Sequence, residues 1–282
     1  MLHAMEGPSA TALMVAAYRA RATARGDGIC SDPWALALAG AEGHALAARY
    51  DETFPHMELW IALRTAFFDA RVRSLAGPGG IDQVVLLGAG FDTRSARLGR
   101  EGLRFYEVDR GPSQLAKIAA LERIGGYPTH GATYVSCDFE REDFLDRLVG
   151  AGFQKGRAAL FLWEGVTAYL TESAVRKTLR RVAHGTAPDS VLVFEHLRRK
   201  IVSGDVRDEK DKESRAFVSN LGEPLRFGVD YPLPMLYEEG FRRVRVLTFD
   251  EVCLDLTGTY ERERAFRYQG LVVTSRQRPL AV

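Results

Sequence analysis

The chain has 282 residues, 46% of them hydrophobic and 27% charged, with a formal net charge of +1, enough apolar material for one sizeable core. That balance excludes intrinsic disorder, and it lacks the one-sided basic excess of a nucleic-acid-binding surface. Three widely separated cysteines, Cys30, Cys137 and Cys253, argue against a disulfide scaffold and a paired-thiolate zinc site, so neither a disulfide nor a metal is expected.

Met1 to Glu6 carries no basic region of the kind that opens a signal peptide, and no apolar run approaches the ~20 residues of a membrane span. A cytoplasmic protein with no membrane partner is the expectation. Residues 1–76 read as helices and form an expected amino-terminal helical cap. Ser9 or Thr11 is placed to cap a first helix running to about Arg21. Asp32-Pro33 pairs a capping residue with proline at the first helical position and marks a second helix. Met57, Trp60, Ile61, Arg64, Phe67, Phe68 and Leu75 recur at helical spacing in a third, from about Pro55, which Gly77-Pro78-Gly79-Gly80 then breaks.

At Gln83 the pattern changes: Val84–Leu87 is a short, wholly apolar run of the kind buried on both faces of a sheet. Similar short runs follow at 104–108, 133–137, 158–163, 190–194, 243–248 and 270–274. Helical patterns separate the first five, over 112–122, 143–148 and from the N-cap candidate Thr171 onward. Alternating strands and helices imply a doubly wound, mostly parallel α/β sheet. The last two strands share a shorter connection, and one is expected to run antiparallel. The charged stretch 198–215 follows the fifth strand and reads as a solvated segment or as a lid. Residues 77–282 thus form the expected nucleotide-type domain, with a substrate-side insertion near 197–240.

In such sheets ligands bind beyond the carboxyl ends of the strands, near the reversal of strand order. The first strand ends in Gly88-Ala89-Gly90, where absent side chains let the backbone approach a ligand. A dinucleotide fingerprint needs a third glycine three residues on, but position 93 is Thr, which disfavours a nicotinamide oxidoreductase. The second strand ends in Glu107-Val108-Asp109. Both acids share a face, and Asp109, nineteen residues after Gly90 and nearer the strand end, is preferred as acceptor for two ribose hydroxyls. Asp138 and Phe139 end the third strand, placed to meet an adenine amine and ring. Glu164 ends the fourth, where a buried carboxylate needs a cationic partner and points to function.

The blocks Val84–Arg94, Phe105–Asp109 and Glu164–Thr171, with Thr11–Ala20, Asp32–Ala35 and Arg64–Asp69, resemble the leucine carboxyl methyltransferase family of class I methyltransferases. The likeness is to its bacterial branch, which includes polyketide carboxyl and O-methyltransferases. It spans residues 9–195 and implies a Rossmann-like seven-stranded sheet with a helical cap, S-adenosylmethionine as cofactor and S-adenosylhomocysteine as product. It implies that Arg64 holds the cofactor's carboxylate, Gly88 and Gly90 its loop, Asp109 its ribose, Asp138 its adenine region and Glu164 its amino acid end, with Ala89 and Phe139 beside them as further cofactor contacts read from position. Arg19 or Arg21 falls near another basic family position.

The segment 197–240 departs from members that modify a protein tail, which favours a small acidic acceptor, most simply a carboxylate that needs no general base. A phenolic acceptor would need one, and His196 is the histidine placed for it. Tyr169, with Arg198 or Arg199, is expected to orient the acceptor. A relative that binds the cofactor without turnover is the remaining alternative.

Overall fold

The computed structural model describes residues 9–77, 79–259 and 268–280. Met1 to Glu6 and Pro78, both weighed above, lie outside the described residues. The chain opens with three helices, α1 Ala10–Arg25, α2 Ala35–Asp51 and α3 Met57–Leu75. Ser9 caps α1, its hydroxyl accepting from the Ala12 amide at 3.2 Å. Asp32 does not cap a helix directly: its carboxylate accepts from the Trp34 amide at 3.2 Å in a turn, and the helix begins at Ala35. Within α2, Gly40 leaves helical geometry and kinks the element.

The αβ portion runs β1 Gln83–Leu87, α4 Arg94–Leu98, β2 Arg104–Asp109, α5 Gly111–Leu121, β3 Ala132–Ser136, α6 Phe144–Gly150, β4 Leu160–Trp163, α7 Glu172–Gly185 and β5 Val191–Leu197. Then come α8 Arg199–Ser203, α9 Glu209–Asn220, α10 Pro232–Glu238, β6 Arg243–Thr248, α11 Phe249–Thr257 and β7 Gln269–Ser275. Asp143 and Thr171 cap α6 and α7 through their side chains. The link between the last two strands is not bare loop. It holds α11, started by a reciprocal capping box between Thr248 and Glu251.

One seven-stranded sheet results, in the order β3-β2-β1-β4-β5-β7-β6. Only β7 runs opposite to the other six strands. The expected doubly wound class is therefore the observed one, with the reversal of strand order between β1 and β4. Alternation along the strands divides the core. Val84, Leu86, Leu160, Leu162, Val191 and Val193 face the helices of the amino terminus and α11. Val85, Leu87, Phe161, Trp163, Leu192 and Phe194 face α6, α7 and α10.

The charged segment after β5 forms α8 and α9, and the far end of α9 returns onto α2. Tyr50 meets Ser214 in a 2.5 Å hydroxyl hydrogen bond and stacks at 4.9 Å on Phe217. Beyond α9, Glu223 accepts from the hydroxyls of Ser9 and Thr11 at the start of α1. The amides of Arg226 and Phe227 then donate to the Ala168 carbonyl at 2.7 and 3.1 Å. Hydrogen bonds thus tie this segment to the first helix and to the turn after β4, across the carboxyl edge of the sheet.

Candidate active site

The loop after β1 is shaped by a close approach. Gly88 sits at φ +70°, and a Cβ there would stand 2.4 Å from a Val166 methyl carbon. Its amide and that of Ala89 donate to the Val108 carbonyl at 2.7 and 3.2 Å, which holds the turn against β2. The Gly90 amide donates to Asp109 Oδ2 at 2.6 Å, and the Arg110 amide to Oδ1 at 2.7 Å. Each carboxylate oxygen has a second lone pair for an incoming hydroxyl. Burial pushes the Asp109 carboxyl above the usual range, against the pull of those two amides. Ala12 of α1 closes on Gly90, 3.4 Å from where a Cβ would be. Sequence blocks around residues 12, 88, 109 and 166 therefore meet at the strand-order reversal.

Beside this loop Arg64 of α3 serves two carboxylates. Its Nε donates to Glu164 Oε1 at 2.8 Å, and its Nη1 to both oxygens of Glu195 at 2.9 and 3.0 Å. Arg64 is 7% exposed, and Glu164 and Glu195 12% each, so all three are withdrawn yet reachable from the cleft. Burial works to lower the Arg64 pKa, but Glu195 and Glu164 outweigh it and the guanidinium stays charged. Burial lifts the Glu195 carboxyl, with Arg64 opposing and Glu164 adding to the rise. Gly165 lets this cluster close: it sits at φ +71°, and Arg64 Nη2 lies 3.5 Å from its absent Cβ.

Behind the loop lies a lattice of buried ion pairs. Arg94 donates to Asp69 at 2.7 Å, to Asp92, and to the Thr65 carbonyl at 3.2 Å. Its Nη1 is also 2.7 Å from Glu164 Oε2, without hydrogen-bond alignment, so that oxygen is buried and unbonded. Arg97 grips Asp69, and Arg19 holds Asp32 at 2.8 Å and the Phe91 carbonyl at 2.6 Å. Lys117 of α5 holds Glu107 Oε2 and the Asp92 carbonyl, both at 2.5 Å. Among the described residues these pairs join five largely withdrawn cations (Arg19, Arg64, Arg94, Arg97, Lys117) to six largely withdrawn anions (Asp32, Asp69, Asp92, Glu107, Glu164, Glu195). Arg73, 3.8 Å from Asp69, is mostly exposed. The lattice carries a net negative charge toward the strand ends, and Asp109 adds to it.

The structure brings together Arg64, Gly88, Ala89, Gly90, Asp109 and Glu164, as the sequence reading grouped them. Glu107 proves to be the buried partner of Lys117 and Ser95, which leaves Asp109 as the strand-end acid. Asp138 is at the end of β3, half-exposed, its Oδ1 accepting from the Glu140 amide at 3.0 Å. Phe139 does not present a free ring there. It is buried in the second core, 6.1 Å from Phe144 and 6.4 Å from Trp163.

Tyr169 lies within electrostatic reach of Glu223, Tyr50, Glu195 and Arg64, and burial holds its phenol protonated. His196 does not join it. Strand alternation turns it to the face opposite Glu195, where Nδ1 bonds the Val229 carbonyl at 3.0 Å and Nε2 is buried against Gly270. Burial lowers its pKa. Arg198 and Arg199 are exposed at the rim. Of the two amino-terminal arginines, Arg19 braces the β1 loop from behind, while Arg21 pairs at the surface with Asp51 and Glu58.

The sequence reading missed Glu195 and Arg94 as members of the site. Ending the fifth strand at Phe194 hid the alternation that turns Glu195 inward, whereas β5 runs to Leu197. Arg94 was visible in the Gly-Ala-Gly-Phe-Asp-Thr-Arg block, but its partners come from α3 and β4.

The sequence pattern of the leucine carboxyl methyltransferase family matches residues 12–183. A Mycolicibacterium vanbaalenii protein described as a "Putative S-adenosyl-L-methionine-dependent methyltransferase" is 31% identical over 92% of this chain and 86% of its own. A Mycolicibacterium gilvum protein of the same description is 34% identical over 83% of this chain and 77% of its own. Among solved structures, a Thermobifida fusca protein covers 96% of both chains with a TM-score of 0.64 at 17% identity, a likeness of fold. A DUF574 family protein of Streptomyces avermitilis covers 84% of this chain and 91% of its own, with a TM-score of 0.60 at 13% identity.

Proposed function

The chain belongs to the leucine carboxyl methyltransferase family, and from that membership we propose that this S-adenosylmethionine-dependent methyltransferase methylates an oxygen of a small acid, a carboxylate before a phenol. The residues present suit the cofactor. Asp109 offers one free lone pair per oxygen to the two ribose hydroxyls. The bare backbone of Gly88 to Gly90 leaves room beside it, Asp138 stands at the adenine end, and Arg64 and Glu164 offer opposite charges to an amino acid tail. When bound, S-adenosylmethionine supplies an electrophilic methyl group on a cationic sulfur.

The observation that carries the carboxylate reading is the turn of His196 away from the cleft. His196, the histidine that sequence placed as a base, bonds the Val229 carbonyl instead of facing Arg64, Glu164 and Tyr169, so it is not positioned to take a proton from the acceptor. A carboxylic acid, with a reference pKa near ~4, is already ionised at pH 7 and needs no base. The work left to the protein is alignment and exclusion of water, which can contribute up to roughly 7–11 kcal/mol. Tyr169, held protonated, can donate a hydrogen bond to the acceptor oxygen. The segment from α8 to Phe227, tied to Thr11 and Ala168, covers the edge from the solvent side.

The phenolic reading has one observation in its favour: the Glu195 carboxyl, lifted by burial, is a stronger proton acceptor than an ordinary glutamate. A panel of carboxylic acids and phenols incubated with methyl-labelled cofactor separates the readings. Base-labile label marks methyl esters, and base-stable label marks phenolic ethers. Cofactor binding without label transfer to any acid or phenol would leave a binding protein rather than an enzyme.

A further inference from the structure

Glu164 and Glu195 stand side by side, because Trp163 pairs with Phe194 in parallel register just before them. Both turn toward α3 and share one guanidinium, Arg64, while Glu164 Oε2 also lies 2.7 Å from Arg94 Nη1. Arg94 is shared among Asp69, Asp92 and Glu164, and it meets Glu164 Oε2 as an ion pair without an aligned hydrogen bond. The buried lattice behind them has six anions to five cations. With the exposed Arg73 left aside, the carboxylates of this lattice outnumber its cations by one, and Glu164 and Glu195 stand at the edge that would meet the cofactor's cationic end.

We propose that Glu195 is a specificity determinant that, with Glu164, makes the site prefer the sulfonium cofactor to its neutral thioether product. The proposal rests on the reading of this edge as the S-adenosylmethionine site. In the transfer the acceptor oxygen bonds the methyl carbon, the carbon–sulfur bond breaks and sulfur keeps the electron pair. S-adenosylmethionine carries a sulfonium, an ammonium and a carboxylate, for a net charge of +1. S-adenosylhomocysteine has lost the sulfonium charge and is neutral overall. An excess of carboxylate over cation favours the first and lets go of the second, so turnover itself weakens the hold on the product. Arg64 released from Glu195 would bind the cofactor's carboxylate better, but equally in both ligands. The ratio of the two affinities therefore isolates the charge effect from the positioning of Arg64.

The test is calorimetric titration of the full chain with each ligand, on wild type, Glu195→Gln and Glu195→Asp. Wild type is expected to bind S-adenosylmethionine at least as tightly as S-adenosylhomocysteine. Glu195→Gln should cut the preference about tenfold, the effect of one charge over several ångströms in a partly solvated site. Glu195→Asp keeps the charge and should hold the ratio within about threefold of wild type. A wild type that prefers the thioether by more than about tenfold overturns the proposal, whether or not Glu195→Gln folds. So does an unchanged ratio in a folded Glu195→Gln. If wild type binds neither ligand, the cofactor reading itself fails, an outcome distinct from failure of the preference.

Discussion

Replacing Lys117 by Met tests whether the buried lattice supports the β1 loop. Lys117 and Glu107 are each about 1% exposed and meet at 2.5 Å. Without the ammonium, Glu107 keeps only the Ser95 hydroxyl at 2.9 Å. An uncompensated buried carboxylate costs about 3–5 kcal/mol, and the Asp92 carbonyl loses its donor as well. The Glu107 carboxyl already lies above its ordinary range because burial outweighs Lys117, so removing Lys117 raises it further. A carboxyl with a raised folded pKa favours folding while protonated and loses that advantage as pH rises through the folded value. The destabilisation should therefore be largest near about pH 8 and shrink toward about pH 5. Urea denaturation of wild type, Lys117→Met and the double variant Lys117→Met/Glu107→Gln measures this. The double variant should recover at least half of the loss, because the amide needs no counter-charge. A loss below about 1 kcal/mol, a deficit independent of pH, or a double variant no better than the single one would refute the reasoning.

Asp109→Ala should weaken S-adenosylhomocysteine binding by about 2–4 kcal/mol through the loss of two hydrogen bonds to a charged acceptor, measured by calorimetry; unchanged affinity would mean that another acid holds the ribose. Gly88→Ala adds a Cβ 2.4 Å from Val166 at φ +70°, and should abolish cofactor binding while circular dichroism still shows a folded chain. His196→Gln should leave kcat within about threefold of wild type and change its pH profile little, since the imidazole is turned away from the cleft; a loss of a hundredfold or more would return it to the mechanism. Asp92 is held at about 2 despite its burial, chiefly by Arg94 and Lys117. Its folded pKa is depressed, so its stabilisation is present above about pH 4 and is lost as pH falls toward 2. Asp92→Asn should therefore flatten the acid limb of the stability curve.

The amino-acid sequence by itself determined the features that local chemistry encodes. Apolar runs at 84–87 and 191–194 have the length and β-branched content of buried strands, and the glycines at 88 and 90 mark a turn after the first of them. Asp109 followed from its distance to Gly90, because strand length and the βα connection set where the second strand ends. Caps at Ser9 and Thr171 were legible because a side chain and the amide it accepts from lie within three residues of each other. Tertiary structure alone decided the partners of the charges. Arg64 and Glu195 are 131 residues apart, and only the packing of α3 across the ends of β4 and β5 makes them a pair. Phe139 and His196 went the same way: His196 lies within β5 rather than after it, Phe139 lies just beyond β3, and the face each turned to was set by where the strand stops and which core it joins. A charge or an aromatic ring read from sequence has a position along the chain, whereas what neutralises or covers it comes from elements far away. That is why the strand ends were legible and the electrostatic balance between them was not.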